Sequence, residues 1–163
     1  MLHSDPATAS FNTQIKGSTT IGDKFKDQIL LQSYAFNVSK HVQVQGSERP
    51  SSPAFMSELM FTKTADISSP NLFSNAIEGT SLGEATIVVL HTEGAKKNMP
   101  AVTIKLADAV ISSFSSQSSG AGQAAEHFSL NFTTISYEYH KFNGDKADGS
   151  VEKKFDLRTK VTS

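Results

Sequence analysis

Apolar and polar residues alternate along several stretches of this chain, as they do in strands that bury one face. In ILLQSYAFNVSK (residues 29–40), Leu30, Tyr34 and Phe36 share one frame, which Gln32 interrupts. The other frame holds Leu31 followed by small and polar residues, so we expect a strand with one apolar and one small-polar face. These small and polar residues are Ser33, Ala35, Asn37 and Ser39. Further strands are predicted within residues 54–64, 83–94, 101–116 and 151–160.

The aromatic segment HFSLNFTTISYEYHKF, residues 127–142, changes its apolar frame halfway. Its first half places Phe128 in the even frame, and its second half places Ile135 and Tyr137 in the odd frame. A slip of one residue moves every side chain to the other face of a strand. The segment therefore predicts either a bulge near Thr133 or a strand that is covered on both faces.

The segment SSPNLFSNAIEG has the pattern of a short capped helix over about residues 70–78. Ser69 is a preferred N-cap residue, Pro70 suits the first helical position, and Gly79 suits the C-terminal end. Residues at helical spacing form one apolar face. These residues are Leu72, Phe73, Ala76 and Ile77.

Turn signals separate the predicted strands, and NGDKADGS at residues 143–150 carries both Asn-Gly and Asp-Gly, which favour a hairpin. Many short strands with one helix predict a mainly β fold, a barrel or sandwich with one short flanking α-helix. The 163 residues fit a single domain, 1–163, in which residues 1–10 form a flexible N-terminal extension.

Composition excludes several classes of function. The formal net charge of −1 gives no electrostatic drive toward nucleic acid or an anionic membrane. The chain has no cysteine, which excludes disulfides, thiol catalysis and cysteine-ligated zinc. No apolar run approaches the length of a membrane span, and the first residues lack the pattern of a cleaved signal peptide.

Side chains that could act in catalysis concentrate in FTKTADISSP, where Lys63 and Asp66 lie close in sequence to Ser68 and Ser69. We interpret the two serines as helix-start residues and not as nucleophiles, because no base stands at a fixed spacing from them. For Lys63 and Asp66 two alternatives stay open, a solvated strand end and an interface or lumen charge. The five histidines show no metal-ligand spacing and no cofactor-binding motif is present, so we expect no catalytic residue, cofactor or metal.

Several segments, taken in order, resemble the haemolysin-coregulated protein (Hcp) family, the tube subunits of bacterial type VI secretion. They are IKGSTTIGDKFKDQILLQSYAF, LMFTKTADISSPNLF, VTIKLADAVISSFSSQSSG, SLNFTTISYEY and DGSVEKKFDL, and they span residues 15–157. The FTK-x-x-D-x-x-SP-x-L core is the most specific of them.

The resemblance implies a β-barrel-like, phage tail tube-like domain that assembles into a hexameric ring and has no enzymatic activity. Rings would stack on one another into a hollow tube, inside a contractile sheath and behind a spike at the tip. The lumen would carry small secreted effectors. Such a protein would assemble in the bacterial cytoplasm and then reach the medium or a target cell without a cleaved signal peptide.

Three groups of residues become candidates for this assembly. We expect the core to receive Tyr34, Phe36 and Val38. The opposite face of their strand would line the lumen or, as the alternative, would be an ordinary solvent-exposed face. The lumen candidates are Ser33, Ala35, Asn37 and Ser39; the ring-stacking candidates are Gln45, Gly46, Ser47, Glu48, Arg49 and Pro50; the subunit-interface candidates are Lys63, Asp66, Tyr137 and Tyr139. The alternative function is an isolated, lectin-like β-sandwich binding module. A cryptic hydrolase is a third and less favoured alternative.

Overall fold

A computed structural model describes residues 6–13, 15–42, 52–91, 98–143 and 146–163, and in these ranges the chain is mainly β. The strands are β1 (Ala7–Phe11), β2 (Ile29–Leu31), β3 (Ser33–Ala35), β4 (Val38–Ser39), β5 (Phe55–Met56), β6 (Leu59–Thr64), β7 (Ala85–Leu90), β8 (Pro100–Ala107), β9 (Val110–Gln117), β10 (Ala125–Asn131), β11 (Thr134–Asn143), β12 (Lys146–Asp156) and β13 (Val161–Thr162). The helices are α1 (Gly22–Phe25) and α2 (Ser69–Glu78).

The strands form two large antiparallel sheets and one small one. Sheet A has seven strands in the order β13-β12-β11-β8-β7-β1-β2, and sheet B has four in the order β3-β6-β10-β9. Strands β4 and β5 pair separately. Sheets A and B enclose one apolar core, and their described strands do not join into a closed barrel. The predicted mainly β, sandwich-like fold is therefore confirmed.

The interrupted frame at Gln32 marks a change of sheet. Strand β2 ends in sheet A at Leu31, and β3 begins in sheet B immediately after Gln32. Leu31 is buried and Leu30 is 44% exposed, whereas Tyr34 packs against the core. The expected common frame for Leu30 and Tyr34 is therefore wrong, because the chain turns between two sheets at this point.

The aromatic segment is two strands, not one. Phe128 on β10 and Ile135 on β11 are both buried, but they enter the core from opposite sheets. The chain crosses between the sheets at Phe132 and Thr133, which accounts for the frame change without a bulge at Thr133 or a strand covered on both faces. The register shift of β10 lies earlier, between Ser129 and Leu130.

A row of aromatic residues crosses the inner face of sheet B. Successive register partners from β3 to β9 are Tyr34, Phe61, Phe128 and Phe114. The rings of Phe61 and Phe128 stack with centroids 4.8 Å apart. Each fully buried Phe stabilises the fold by about 1.5–3 kcal/mol, and a stacked pair adds about 1 kcal/mol. This row is a main contribution to the stability of sheet B.

Helix α2 begins and ends close to the predicted limits. The N-cap position is Ser68, not the predicted Ser69, and it makes no side-chain capping bond to the helix. Gly79 ends the helix as predicted, with φ of +64° and an N–H that donates to the carbonyl of Asn75. Within the described ranges, neither helix is long and apolar enough to cross a membrane.

The apolar face of α2 only partly packs on the core. Leu72 is fully buried and Ala76 is half-buried, as the helical spacing predicts. Phe73 and Ile77 are 54% and 70% exposed. The helix therefore keeps one apolar flank that its own chain does not cover.

Two hairpins project past the ends of the neighbouring strands in sheets A and B. The first runs from β3–β6 in sheet B into β4–β5, and at its far end the N–H of Ser52 donates to the carbonyl of His41 over 3.0 Å. The second is the predicted hairpin of β11 and β12.

The expected N-terminal extension over residues 1–10 is wrong for its second half. Residues 7–10 belong to β1, which lies between β7 and β2 inside sheet A. Thr8 and Ala9 are almost completely buried. Residues 1–5 lie outside the described residues.

Candidate functional site

The exposed face of sheet B carries mainly small, polar side chains, together with the exposed Met60 and, in the lining of the recess over it, one carboxylate, Glu58. A shallow recess of about 460 Å³ lies over it. Antiparallel register aligns its side chains into two rows across the sheet. The first row is Ser33, Thr62, His127 and Ser115, and the second is Ala35, Met60, Ser129 and Ser113.

Hydroxyl groups on this face bond to one another. Ser129 Oγ lies 2.5 Å from Ser113 Oγ and 2.8 Å from Ser112 Oγ. Thr62 Oγ1 lies 3.1 Å from Nδ1 of His127. Because these groups are already paired within the sheet, the face presents few unsatisfied polar groups that would hold a passing molecule.

The four predicted lumen residues are all exposed but do not all lie on this face. Ser33 and Ala35 lie in its two rows. Asn37 and Ser39 lie beyond the end of sheet B, along the first hairpin. The expectation that Val38 faces the core is wrong, because Val38 is 55% exposed on the separate β4–β5 pair.

Both edges of sheet B are open within the described ranges. Strand β3 pairs only with β6, and β9 pairs only with β10. An open edge presents a row of unpaired N–H and C=O groups, which is a template for another strand. The sheet can therefore be continued at both sides by other strands.

Lys63 is not an exposed contact, and both sequence interpretations of it are wrong. Its side chain is completely buried, and its Nζ lies 2.8 Å from Glu126 Oε2 and 2.9 Å from Asp66 Oδ1. The third donor of the ammonium group reaches Ser69 Oγ at 3.2 Å. Lys63 therefore serves the interior of its own protomer and presents no surface to a neighbour.

Asp66 connects this ion cluster to the loop at residues 15–20. Its Oδ2 accepts hydrogen bonds from the N–H and hydroxyl of Ser18, and its Oδ1 accepts them from the N–H and hydroxyl of Ser68. Burial alone would raise the pKa of Asp66, but the bonds from Ser68, Lys63 and Ser18 outweigh it and hold the pKa below its ordinary value. Asp66 thus acts as an internal brace.

Glu126 is the cluster member that the sequence interpretation missed. It pairs with Lys63 across adjacent strands, in register, and its side chain is 4% exposed. A signal was present in the sequence. Lys63 shares the apolar frame of Phe61, and Glu126 shares the apolar frame of Phe128, so each strand carries one charge on its core-facing side.

The cluster contains a serine beside a lysine, yet its hydrogen bonds are those of a structural group. The hydroxyl of Ser69 donates to Glu126 over 2.7 Å and accepts from the N–H of Asp66. Each of the three N–H groups of Lys63 has an acceptor within the cluster, which makes it a closed hydrogen-bond network. In the described ranges, no group of three or more His, Asp or Glu side chains is arranged to hold a metal ion.

On β11, the side chains of Tyr137 and Tyr139 are on the same face as the buried Ile135, but the core does not cover them. They are 39% and 54% exposed. The ring of Phe36 lies 6.2 Å from that of Tyr137. Burial, together with the neighbouring Tyr137, raises the pKa of Tyr34. Their place at an uncovered apolar edge agrees with an interface role, which stays a prediction. The stacking candidates Gln45–Pro50 lie outside the described residues.

Comparison with known proteins agrees with this architecture. The family model described as "Type VI secretion system effector, Hcp" matches residues 9–139. The curated protein hcp1 of Pseudomonas aeruginosa is 29% identical over 107 residues, which cover 64% of this chain and 65% of the relative, just under two thirds of its length.

Solved structures share the fold over nearly the whole chain. "Structure of a type six secretion system protein" superposes with a TM-score of 0.88 at 20% identity, covering 98% of this chain and 100% of that one. Hcp1 from Salmonella typhimurium gives a TM-score of 0.79 at 20% identity, covering 98% and 99%. Because the family model matches most of this chain, the chain belongs to the Hcp family of secreted type VI secretion tube proteins.

Proposed function

We propose that six copies of this chain form a ring in which the exposed face of sheet B lines a central channel. The observation that carries the proposal is the combination of two open edges with a face of mainly small, polar side chains. If β9 of one protomer pairs with β3 of the next, sheet B continues around the ring and no raw edge remains. The hydroxyl groups on this face are paired within the sheet, so few of them are free to hold a passing cargo molecule.

The size of such a channel follows from strand geometry. Four strands from each of six protomers make 24 strands. At about 4.8 Å between strands and a tilt of about 40°, the barrel is roughly 48 Å across its backbone. Side chains narrow this, which leaves room for a small folded protein. The channel would carry small secreted effectors.

Rings of this kind would stack through the first hairpin. Its arm leaves sheet B beyond β3 and β6, and hydrogen bonds between His41 and Ser52 hold its two strands together. We assign the stacking contact to residues 45–50, which follow His41 along the chain. Deletion of residues 46–52 should leave single rings intact and shorten tubes in electron micrographs. Tubes of unchanged length would refute the stacking role.

The complete tube would lie inside a contractile sheath, behind a tip spike, and would be expelled when the sheath shortens. Assembly would take place in the bacterial cytoplasm, followed by release to the medium or a target cell without cleavage of a signal peptide. The role is structural, with no substrate and no cofactor.

Native mass spectrometry tests the ring. Six copies of a 17.5 kDa chain give about 105 kDa, as expected for a closed ring of identical contacts. A stable monomer would instead support an isolated binding module.

A labelling experiment tests whether the exposed face of sheet B lines the channel. The cysteine-free chain allows a single gold cluster to be attached at Ser33→Cys or, as the control, at Ser150→Cys on the opposite face of sheet A. Electron micrographs should show the first label in the centre of the ring and the second at its perimeter. A Ser33 label at the perimeter would refute the assignment of the channel face.

A further inference from the structure

An apolar groove lies between the first hairpin and the core-side face of β11 and β12. Its volume is about 380 Å³. Val38 and Tyr137 in its wall are 55% and 39% exposed, so the groove is open to whatever lies beside the protomer. The apolar residues that line it are Phe36, Val38, Met56, Ile135, Tyr137 and Phe155.

A convex apolar surface occurs elsewhere on the same chain. It is the exposed flank of α2, where Phe73 and Ile77 are four positions apart and therefore stand one above the other on the helix. Phe73 also touches the edge of sheet B, with its ring 6.3 Å from that of Phe114 on β9.

The groove and the flank cannot meet within one protomer. Helix α2 packs against β9 at one edge of sheet B, whereas the groove lies beside Phe36 and Val38, which follow β3 at the other edge. Two unlike surfaces on one chain make a head-to-tail contact, and such contacts close into rings when the rotation allows.

The charges at the two surfaces are opposite. Glu78, at the C-terminal end, is the one charged residue of α2, and the end of a helix adds partial negative charge. The groove is lined by Lys153 and Lys154. Lys154 lies 3.6 Å from Glu152, and Lys153 has no ion pair among the described residues.

We infer that the groove receives the exposed flank of α2 from a second copy of this chain, with Phe73 and Ile77 entering it and Glu78 facing Lys153. The inference rests on the proposed ring and adds to it. Where β9 of one protomer meets β3 of the next, the helix behind β9 arrives beside the groove behind β3. The docked helix would cover the apolar surface that each protomer leaves open.

Disulfide trapping tests this contact, because the chain has no cysteine of its own. We would combine Ile77→Cys with Val38→Cys, oxidise the protein mildly and separate it on a non-reducing gel. A head-to-tail contact predicts a ladder of covalent species up to six copies. The matched control combines Val38→Cys with Asn71→Cys, an exposed position on the other side of the helix, which should give no ladder.

Native mass spectrometry of the same reduced samples separates the outcomes. Rings that give no ladder, or a product that stops at the dimer, would overturn the docking contact and leave the ring proposal standing. Absence of rings from the unmodified protein would overturn both.

A charge exchange provides a second readout if the cysteine variants do not assemble. Glu78→Lys alone should weaken ring association by about two- to fivefold, and adding Lys153→Glu should restore it, since exposed ion pairs contribute at most about 1 kcal/mol. Weakening without restoration would count against the contact.

Discussion

Replacing Lys63 by methionine should destabilise the protein far more than removal of any surface charge. The change keeps the length of the side chain but leaves Glu126, 4% exposed, without its cation. Removal of one partner from a buried ion pair costs about 3–5 kcal/mol, because an uncompensated charge stays in the interior. For a domain of this size this is a large part of a stability of about 5–15 kcal/mol.

Urea unfolding followed by circular dichroism would measure the loss, since the chain has no tryptophan for a fluorescence assay. All variants should be compared at one protein concentration, because assembly shifts apparent stability. The matched control is Lys141→Met, which breaks the exposed pair with Asp148 and should cost about 0–1 kcal/mol.

A double variant distinguishes a buried charge from a lost packing contact. Lys63→Met combined with Glu126→Met removes both charges, so it should be more stable than Lys63→Met alone. The reasoning would be refuted if Lys63→Met cost no more than Lys141→Met. It would also fail if the second substitution made the loss larger.

Further expectations concern pH and two glycines. The pKa of Asp66 is lowered in the folded protein, so its carboxylate contributes stability that is present above the unfolded pKa and lost as pH falls through the folded pKa. Asp66→Asn should therefore reduce the loss of unfolding free energy below about pH 4. An unchanged dependence of stability on pH in that range would contradict this. Gly17→Ala should cost about 3 kcal/mol or more in urea unfolding, because its Cβ would lie 2.3 Å from the carbonyl oxygen of Gln28. Gly79→Ala meets no atom within 4 Å and should cost only about 1 kcal/mol from its positive φ; equal losses would refute the distinction.

The strands could be predicted from the sequence because each buries one face, and alternation is a local property. The sequence pattern could not predict the sheet to which each strand belongs. Gln32 and the Phe132–Thr133 pair read as interruptions within strands, yet each is a crossing between sheets A and B. Residues on both sides of a crossing point into the same core, so a change of sheet appears in the sequence only as a change of frame.

In the candidate site too, the sequence predicts which side chains are exposed or buried but not which strands bring them together. Ser33 and Ala35 were placed on an exposed face by alternation alone, and the structure gives them neighbours from three other strands. The pairing of Lys63 with Glu126, 63 positions apart, depends on which strands are adjacent. Alternation predicts that a charge lies on the core side, but only the fold supplies its partner.

Electron cryomicroscopy of the assembled protein tests the central claim most directly. We expect a six-fold ring in which sheet B of each protomer joins the next through β9 and β3, so that 24 strands surround a channel with Ser33 and His127 on its wall. A ring whose channel is lined by sheet A, or one in which β3 and β9 remain unpaired edges, would contradict the account.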